Sequence, residues 1–180
     1  MRIIGGKFKG RRFTPPSNIT ARPTTDFAKE SLFNLIGNEM DIEGITALDL
    51  FSGTGSISYE LASRDALHIT AIEFSERHIS YIHKMCKELK VDNIRTMRQD
   101  VFRFLQNSST SYDLIFADPP YQLENISVIP DMVFDKNRLN EDGLLIVEHG
   151  SKTDFSEHKN FVSHRNYGNV HFSFFRNKGE

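Results

Sequence analysis

The chain has a single cysteine and no long apolar run, and both absences exclude classes of protein. Cys86 alone cannot form an internal disulfide, and several-cysteine zinc or iron–sulfur sites are excluded with it. No apolar run approaches the roughly 20 residues that a membrane span needs. The opening MRIIGGKFKG also lacks the apolar region of a secretory signal. We therefore expect a soluble, cytoplasmic protein without a membrane partner.

Internal repeats, low-complexity tracts and Gly/Ser-rich linkers are also missing from the sequence. Its 180 residues, 38% of them hydrophobic, suit one globular domain. The composition shifts once, at TPPSNITARP, where three of the six prolines fall within residues 14–23. This extended segment predicts a division into a basic N-terminal arm, residues 1–22, and a main domain, residues 23–180.

The net charge of −2 hides an uneven distribution. Residues 1–22 hold six basic side chains and no acidic one, so the remainder holds 16 basic against 24 acidic side chains. A local excess of this kind favours a polyanion such as nucleic acid, although a solvated terminal segment has the same pattern. The candidate RNA contacts are Arg2, Lys7, Lys9, Arg11, Arg12 and Arg22.

Two elements are predicted before residue 40. The segments RIIGG and KFKGRRF alternate around Gly5-Gly6, which predicts a small β-hairpin in the arm. A helix follows, and Gly37 is its predicted end. Its apolar residues at helical spacing are Ala28, Leu32, Leu35 and Ile36.

From residue 46 onward, predicted strands alternate with predicted helices. The strands are TALDLF, HITAIEF, NIRTMR, YDLIFA and, after a turn at Glu141-Asp142-Gly143, LLIVE. This alternation predicts an α/β fold with a parallel sheet covered on both faces. NFVSHRNY and NVHFSFF flank Gly168 and predict a C-terminal antiparallel hairpin. Residues 122–140 stay unassigned because Pro130 interrupts any long helix there.

Unusual residues cluster where these strands end, and ligands of parallel sheets bind at that edge. The first cluster is DLFSGTG, in which Gly53 and Gly55 permit a sharp turn and a close approach of backbone to a ligand. A tight strand-to-helix turn alone would need the same glycines. Asp49 would repel a pyrophosphate but attract an ammonium, so the methionine part of S-adenosylmethionine (SAM) fits this loop better than NAD.

Two further strand ends carry acidic residues. Glu73 ends HITAIEF, where an acceptor for ribose hydroxyls is expected, and Asp100 follows the third strand, where it could hold an adenine amino group. Each carboxylate could equally cap the helix that follows it. Successive strand ends that supply glycines, Glu73 and Asp100 together favour an adenosine pocket.

The most specific motif is DPPY, residues 118–121, directly after YDLIFA. Pro119 and Pro120 stiffen the turn and donate no backbone hydrogen bond, so the Asp118 carboxylate and the Pro119 carbonyl can both accept from one amino group. Tyr121 offers a face on which a base can stack. An exocyclic amine is a poor nucleophile, and two acceptors favour the pyramidal nitrogen that attacks a sulfonium methyl. The alternative is a rigid loop with a surface tyrosine.

DLFSGTG, AIEF, QDVF and DPPY, in this order, resemble the SAM-dependent methyltransferases that modify exocyclic amino nitrogens. RIIGGKFKGRRF and RPTTDFAKESLFNLI resemble, more narrowly, the bacterial RsmD-type methyltransferases of guanine N2 in 16S ribosomal RNA. The resemblance implies a Rossmann-like fold, the catalytic loop Asp118–Tyr121, and 16S RNA in the assembled or assembling small subunit as substrate. It implies these cofactor contacts: Asp49, Phe51, Gly53 and Gly55 on the methionine side, Glu73 on the ribose, Asp100 and Val101 at the adenine, and Thr25 in a closing segment.

Three other functions remain open at this point. The same fold and DPPY motif serve methyltransferases of adenine N6 in nucleic acid and of protein amides. A non-catalytic RNA-binding assembly factor could also retain the pocket, although binding alone needs no DPPY loop. None of the seven histidines pairs at metal-ligand spacing, so we expect no metal.

Overall fold

The computed structural model describes residues 1–17, 19 and 25–178, which form a seven-stranded sheet with helices on both faces. The strands are β1 Thr46–Leu50, β2 His68–Glu73, β3 Ile94–Arg98, β4 Tyr112–Ala117, β5 Leu139–His149, β6 Phe161–Tyr167 and β7 Val170–Phe175. The helices are α1 Asp26–Glu39, α2 Ser56–Ser63, α3 Glu76–Leu89, α4 Val101–Asn107 and α5 Val128–Asp135.

The strand order is β3-β2-β1-β4-β5-β7-β6. Strands β1 to β5 run parallel, and β7 pairs antiparallel with both β5 and β6. The predicted α/β fold, with a mostly parallel sheet and a C-terminal antiparallel hairpin, is confirmed. The chain winds outward in opposite directions from β1 and β4, so the loops after these two strands separate and leave a crevice at the carboxyl edge.

Apolar side chains cover both faces of the sheet. Phe33 of α1 and Leu61 of α2 are buried on one face, and Phe104 of α4 and Val133 of α5 are buried on the other. Each such side chain contributes about 1.5–3 kcal/mol by its removal from water. These contacts hold the strands in register, and the register places the strand ends that carry the polar residues.

Helix α1 does not end at Gly37 as predicted. It continues to Glu39, and the Met40 amide donates to the Ile36 carbonyl at 2.9 Å. Leu35 and Met40 pack against the core cluster around α1 and α2. Their packing outweighs the cost of about 1 kcal/mol for a glycine within a helix.

The turn predicted at Glu141-Asp142-Gly143 is also wrong, because these residues lie within β5. Tyr112 pairs with Leu139 whereas Leu114 pairs with Leu144, so β5 has extra residues opposite the start of β4. The insertion is a bulge that the ladder accommodates. The Asp142-Gly143 pair, from which a turn before the strand was predicted, therefore lies in an irregular part of the strand itself.

The unassigned stretch 122–140 contains helix α5. Pro130 is the third residue of this helix, where a backbone N–H has no partner within the helix in any case. Its ring is therefore compatible with the first turn. Pro130 limits where the helix begins but does not prevent it.

The predicted N-terminal hairpin is present in reduced form, as one antiparallel bridge between Arg2 and Arg12. Its tip is a 3-10 turn at Gly6–Phe8 and not a tight turn at Gly5-Gly6. Gly6 has a φ of +71°, and a Cβ there would lie 1.9 Å from the Ser63 carbonyl oxygen. Only glycine permits this contact with the end of α2.

The described residues of the basic arm, residues 1–22, which is called the N-terminal segment from here on, pack on α2 and α3. Ile3 is 1% exposed and lies in a cluster with Tyr59. The buried Glu60 carboxylate accepts hydrogen bonds from the Ile4 and Gly5 amides. Apolar burial and backbone hydrogen bonds thus join the segment to the helix that follows the glycine loop.

Candidate active site

The loop between β1 and α2 has left-handed backbone at three positions. Phe51, Gly53 and Gly55 have φ values of +61°, +53° and +83°. A Cβ at Gly53 would meet only the Phe51 carbonyl oxygen, at 3.9 Å, so this side of the loop is open. A Cβ at Gly55 would lie 2.8 Å from the Tyr59 ring. Gly53 therefore leaves room for a ligand, and Gly55 allows the loop to pack on α2.

Asp49, one residue before the end of β1, is 1% exposed. Its Oδ2 accepts hydrogen bonds from the Ser58 amide at 3.1 Å and the Ser58 hydroxyl at 2.6 Å. Burial raises the pKa of Asp49 to about 7, with smaller contributions from the Asp118 and Glu73 carboxylates. A cation next to Asp49 would relieve this cost.

Glu73 links the end of β2 to two neighbouring loops. Its carboxylate accepts from the Gly53 amide at 2.8 Å and from the Ser75 amide at 2.7 Å. The bond from Ser75 fixes the residue directly before α3, which agrees with the alternative that Glu73 caps this helix. The bond from Gly53 fixes the glycine loop. The same side chain lines the cavity described below.

Asp100 caps the helix that follows it, as one of its two predicted roles requires, and it also borders the site. Its Oδ1 accepts from the Arg103 amide at 2.9 Å and so caps α4. Asp100 and Val101 also line the cavity, next to Gln99. Thr25 similarly caps α1, since its hydroxyl accepts from the Ala28 amide at 3.1 Å, and it lines the same cavity.

The DPPY loop begins directly beside the end of β1. The Asp118 amide donates to the Leu50 carbonyl at 3.3 Å, which extends the contact of β4 with β1 by one residue. The Leu123 amide donates to the Pro120 carbonyl at 2.8 Å and closes the turn. Tyr121 is 51% exposed. Asp118 is thus held at the switch point of the sheet, with an accessible aromatic ring nearby.

These residues line two adjoining cavities. One of about 470 Å³ is lined by residues from the ends of β2, β3, β4 and β5. A second of about 300 Å³ is lined by Asp49 and by the N-terminal segment. Phe51, Gly53 and Asp118 line both, so the cavities meet between β1 and β4. A molecule with an adenosine end and an amino-acid end fits this pair of cavities, since acidic residues lie in both and open space remains at Gly53.

Nearly all the predicted cofactor and catalytic residues therefore line this paired site. Gly55 is not among the lining residues and serves the loop's packing. Several other residues that were not predicted from the sequence also line the larger cavity, namely Ile72, Phe74, His78, Gln99, Glu148 and Val170. Phe74 and Gln99 adjoin predicted residues, and Glu148 ends LLIVE, so the strand-end rule could have found them. Val170 belongs to the hairpin and carries no local signal.

The basic residues of the N-terminal segment differ in their surroundings. Arg2 pairs with Asp26 at 3.0 Å, and Lys7 pairs with Asp65 at 2.6 Å. The exposed basic residues that make no ion pair with any described residue are Lys9, Arg11 and Arg12. Arg22 lies outside the described residues.

Three histidines from adjacent strands meet although they are distant in sequence. His164 Nε2 lies 2.9 Å from His171 Nδ1, and both rings lie within 6 Å of His149. His149 uses its two nitrogens on the Gly150 carbonyl and the Ser173 hydroxyl. Burial lowers the pKa of His149 and His164. Within the described ranges, no group of His, Cys, Asp and Glu is arranged to hold a metal ion.

A paired cavity of this kind, at the switch point of this strand order and beside a DPPY loop, defines a SAM-dependent methyltransferase. Among the described residues, no helix is long and apolar enough to span a membrane.

Comparison with known proteins places the chain within that class. Residues 1–176 match the family described as Conserved hypothetical protein 95. The chain is 34% identical over 148 residues to Ribosomal RNA small subunit methyltransferase D of Buchnera aphidicola subsp. Baizongia pistaciae, covering 82% of this chain and 75% of that protein. It is 32% identical over 148 residues to the protein of the same name from Escherichia coli (strain K12), covering 82% and 74%.

Solved structures agree with this assignment. The structure of "Putative methyltransferase yhhF" from Escherichia coli superimposes with a TM-score of 0.86 at 27% identity, covering 100% of this chain and 99% of that one. The chain belongs to the Conserved hypothetical protein 95 family, and the RsmD-type resemblance predicted from its motifs is confirmed.

Proposed function

We propose that the chain transfers a methyl group from SAM to the N2 amine of a guanine in 16S ribosomal RNA. One observation carries the proposal: the DPPY loop lines the same cavity as Glu73 and Asp100, so a donor and an amine can meet there. The relatives named Ribosomal RNA small subunit methyltransferase D support ribosomal RNA as the substrate. Guanine N2 is the exocyclic amine that the RsmD-type resemblance implies.

Each predicted residue receives a role in this proposal. Asp49 faces the ammonium of the methionine part, with Phe51, Gly53 and Gly55 forming the loop around it. Glu73 accepts from the ribose hydroxyls, and Asp100 with Val101 contacts the adenine. Thr25 belongs to the segment that closes over the cofactor.

The catalytic loop would position the amine and accept its hydrogens. When bound, SAM supplies an electrophilic methyl group on a sulfonium. The N2 lone pair would form the new C–N bond as the methyl–sulfur bond breaks and its bonding pair stays on sulfur, and the proton that N2 then loses would pass to the Asp118 carboxylate. The Asp118 carboxylate and the Pro119 carbonyl accept from the two N–H bonds, while Tyr121 stacks on the ring.

The N-terminal segment would hold the RNA. Lys9, Arg11 and Arg12 are free to contact phosphates, and Arg2 and Lys7 would exchange their carboxylate partners for them. Arg22 completes the predicted set. In this proposal residues 1–22 form the RNA-binding arm and residues 23–180 the catalytic domain. The substrate is the assembled or assembling small subunit in the cytoplasm.

The decisive experiment is incubation of unmethylated small subunits with the chain and labelled SAM, followed by digestion and mass spectrometry of nucleosides. We expect N2-methylguanosine and no N6-methyladenosine. Asp118→Ala should lower turnover at least about 100-fold while SAM affinity stays within about twofold. Asp135→Ala on the exposed face of α5 is the matched control and should retain full turnover.

Other products would identify the competing functions. N6-methyladenosine would assign the chain to adenine, and label in ribosomal protein would indicate an amide acceptor. Binding of the subunit without any transfer would indicate an assembly factor. Full turnover by Asp118→Ala would remove Asp118 from the reaction.

A further inference from the structure

The larger cavity contains one carboxylate that the proposed reaction does not use. Glu148 lies next to the end of β5, is 6% exposed and lines the cavity together with the DPPY loop. A glutamate is rarely buried to this degree unless its carboxylate has polar partners.

The sheet register places Glu148 beside the catalytic loop. Ala117 of β4 pairs with Val147 of β5, so Asp118 and Glu148 follow side by side on neighbouring parallel strands. Side chains two positions apart on a strand face the same side of the sheet, so Phe116 marks the side of Asp118 and Ile146 marks the side of Glu148. Phe116 and Ile146 lie in one core cluster, and Asp118 and Glu148 therefore share one side of the sheet. Adjacent strands are about 4.8 Å apart, so the two acidic residues are close neighbours.

Glu148 is distant from the cofactor end of the site. The strands that end in Glu73 and Glu148 are separated by β1 and β4, a span of about 14 Å at the usual strand spacing. Asp49 lies on β1 and Asp118 directly follows β4, so both stand between them. Glu148 is therefore placed on the side of Asp118 away from the ribose contact, where the base that receives the methyl group would lie.

A carboxylate at this position favours one purine over the other. The ring edge next to the guanine 2-amino group carries the N1–H donor, whereas adenine has an unprotonated N1 acceptor beside its 6-amino group. An ionised carboxylate only accepts hydrogen bonds, so it pairs with guanine N1–H and repels adenine N1. A site that is built to hydrogen-bond one base discriminates strongly against an analogue that presents an acceptor in place of the donor.

We infer that Glu148 accepts the N1–H of the target guanine and thereby selects guanine over adenine. The inference rests on the proposed guanine-N2 activity and divides the recognition between two strands. Asp118 holds the amine that reacts, and Glu148 identifies the ring that carries it. Glu148 is thus a specificity-determining residue that touches the base without touching the methyl group.

The test uses small subunits reconstituted from ligated 16S RNA that carries either guanine or 2-aminopurine at the mapped target. Both bases have the 2-amino group, but 2-aminopurine lacks N1–H and presents an acceptor at N1. We expect kcat/KM of the unmutated chain to favour guanine by about 100-fold. In Glu148→Gln the amide NH₂ can donate to N1 of 2-aminopurine, so the preference should fall below about tenfold.

Asp135→Asn is the control and should keep the original preference, and SAM affinity should be unchanged in both variants. Equal activity of the unmutated chain on both bases would overturn the inference, whether or not Glu148→Gln folds. The inference also fails if Glu148→Gln slows both substrates equally. In these cases the proposed function still stands, because guanine is methylated at N2. A chain that forms no N2-methylguanosine on the guanine substrate would refute the proposed function itself.

Discussion

At the scale of single residues, the site contains a carboxyl group whose ionisation opposes folding. Asp49 is almost fully buried, and burial raises its pKa from 3.8 to about 7. In the unfolded chain the carboxyl ionises near pH 4, so the native state binds more protons between pH 4 and pH 7. Stability contributed by this group therefore falls as pH rises through that window and levels off above it.

Asp49→Asn should accordingly stabilise the protein in a pH-dependent manner. The amide keeps an oxygen for Ser58 but removes the charge, so the free energy of unfolding should rise by up to about 4 kcal/mol at pH 8, with the gain vanishing toward pH 4. Calorimetric SAM titration should show weaker binding, because the ammonium loses its charged partner.

Urea denaturation at pH 5 and pH 8 measures the effect, and the exposed Asp135→Asn serves as control. A gain of the same size at both pH values would contradict the raised pKa of Asp49. Undiminished SAM affinity would place the ammonium elsewhere in the cavity. The combination of higher stability with weaker binding would show that this residue is retained for the ligand.

At the scale of elements, the sequence predicts strands and the residues at their ends better than it predicts boundaries. Asp49, Glu73 and Asp118 were identifiable because each lies at or directly after the end of a strongly apolar strand in a βα alternation. Gly37 and Gly143 were misread because local propensity is worth about 1 kcal/mol, which is less than the packing around them. The conformational preference of one residue therefore does not decide where an element ends when large side chains on both sides of it are buried.

The docking of the N-terminal segment had no sequence signal at all. Glu60 stands in SISYELAS, where its spacing does not distinguish it from a solvated glutamate. Besides Arg64, four positions away, its partners come from residues 4–5 and from α1, more than 30 positions away. Glu148 was missed for a different reason, since the strand-end rule applied to LLIVE but no known motif marks that position.

The ion pair between α1 and α2 provides a test of this docking. Lys29 and Glu60 have side-chain exposures of 1% and 0%, with Nζ and Oε1 3.4 Å apart. Lys29 also donates to the Arg2 carbonyl and, at 3.2 Å, to the Ser56 hydroxyl at the start of α2. Burial lowers the pKa of Lys29, and the nearby Glu60 opposes that shift.

Lys29→Met should cost about 3–5 kcal/mol of unfolding free energy, because it leaves the Glu60 charge buried without its main partner. Adding Glu60→Gln should restore part of that loss, since the amide oxygen can still accept a backbone N–H. Denaturant unfolding of both single variants and the double variant gives the coupling energy. Lys7→Met breaks a half-exposed pair with Asp65 and should cost less than about 1 kcal/mol. Strictly additive losses would show that the pair is not coupled.

At the scale of the whole molecule, charge is divided along the chain while the fold brings its two parts together. The first 22 residues carry only basic charge, and the remainder has an excess of acidic residues. The N-terminal segment packs on α2, and its residues Met1, Pro15 and Ile19 line the smaller cavity beside Asp49. The segment that carries the basic charge therefore reaches the edge of an acidic site, and in the proposed function it binds the RNA backbone while the base enters the cavity.

Replacing Lys9, Arg11 and Arg12 by alanine should weaken binding of small-subunit RNA and flatten its dependence on salt. Each phosphate contact on single-stranded RNA contributes about 0.7 to the slope of log affinity against log salt concentration, so the slope should become shallower by about 2. Fluorescence anisotropy between 50 and 200 mM salt measures it, and SAM affinity should not change. The matched control removes three exposed lysines on α3 and near β6, Lys84, Lys87 and Lys159, and should leave the slope within about 0.5 of the original. An unchanged slope in the first variant would mean that these charges are solvated and that the RNA is held by another surface.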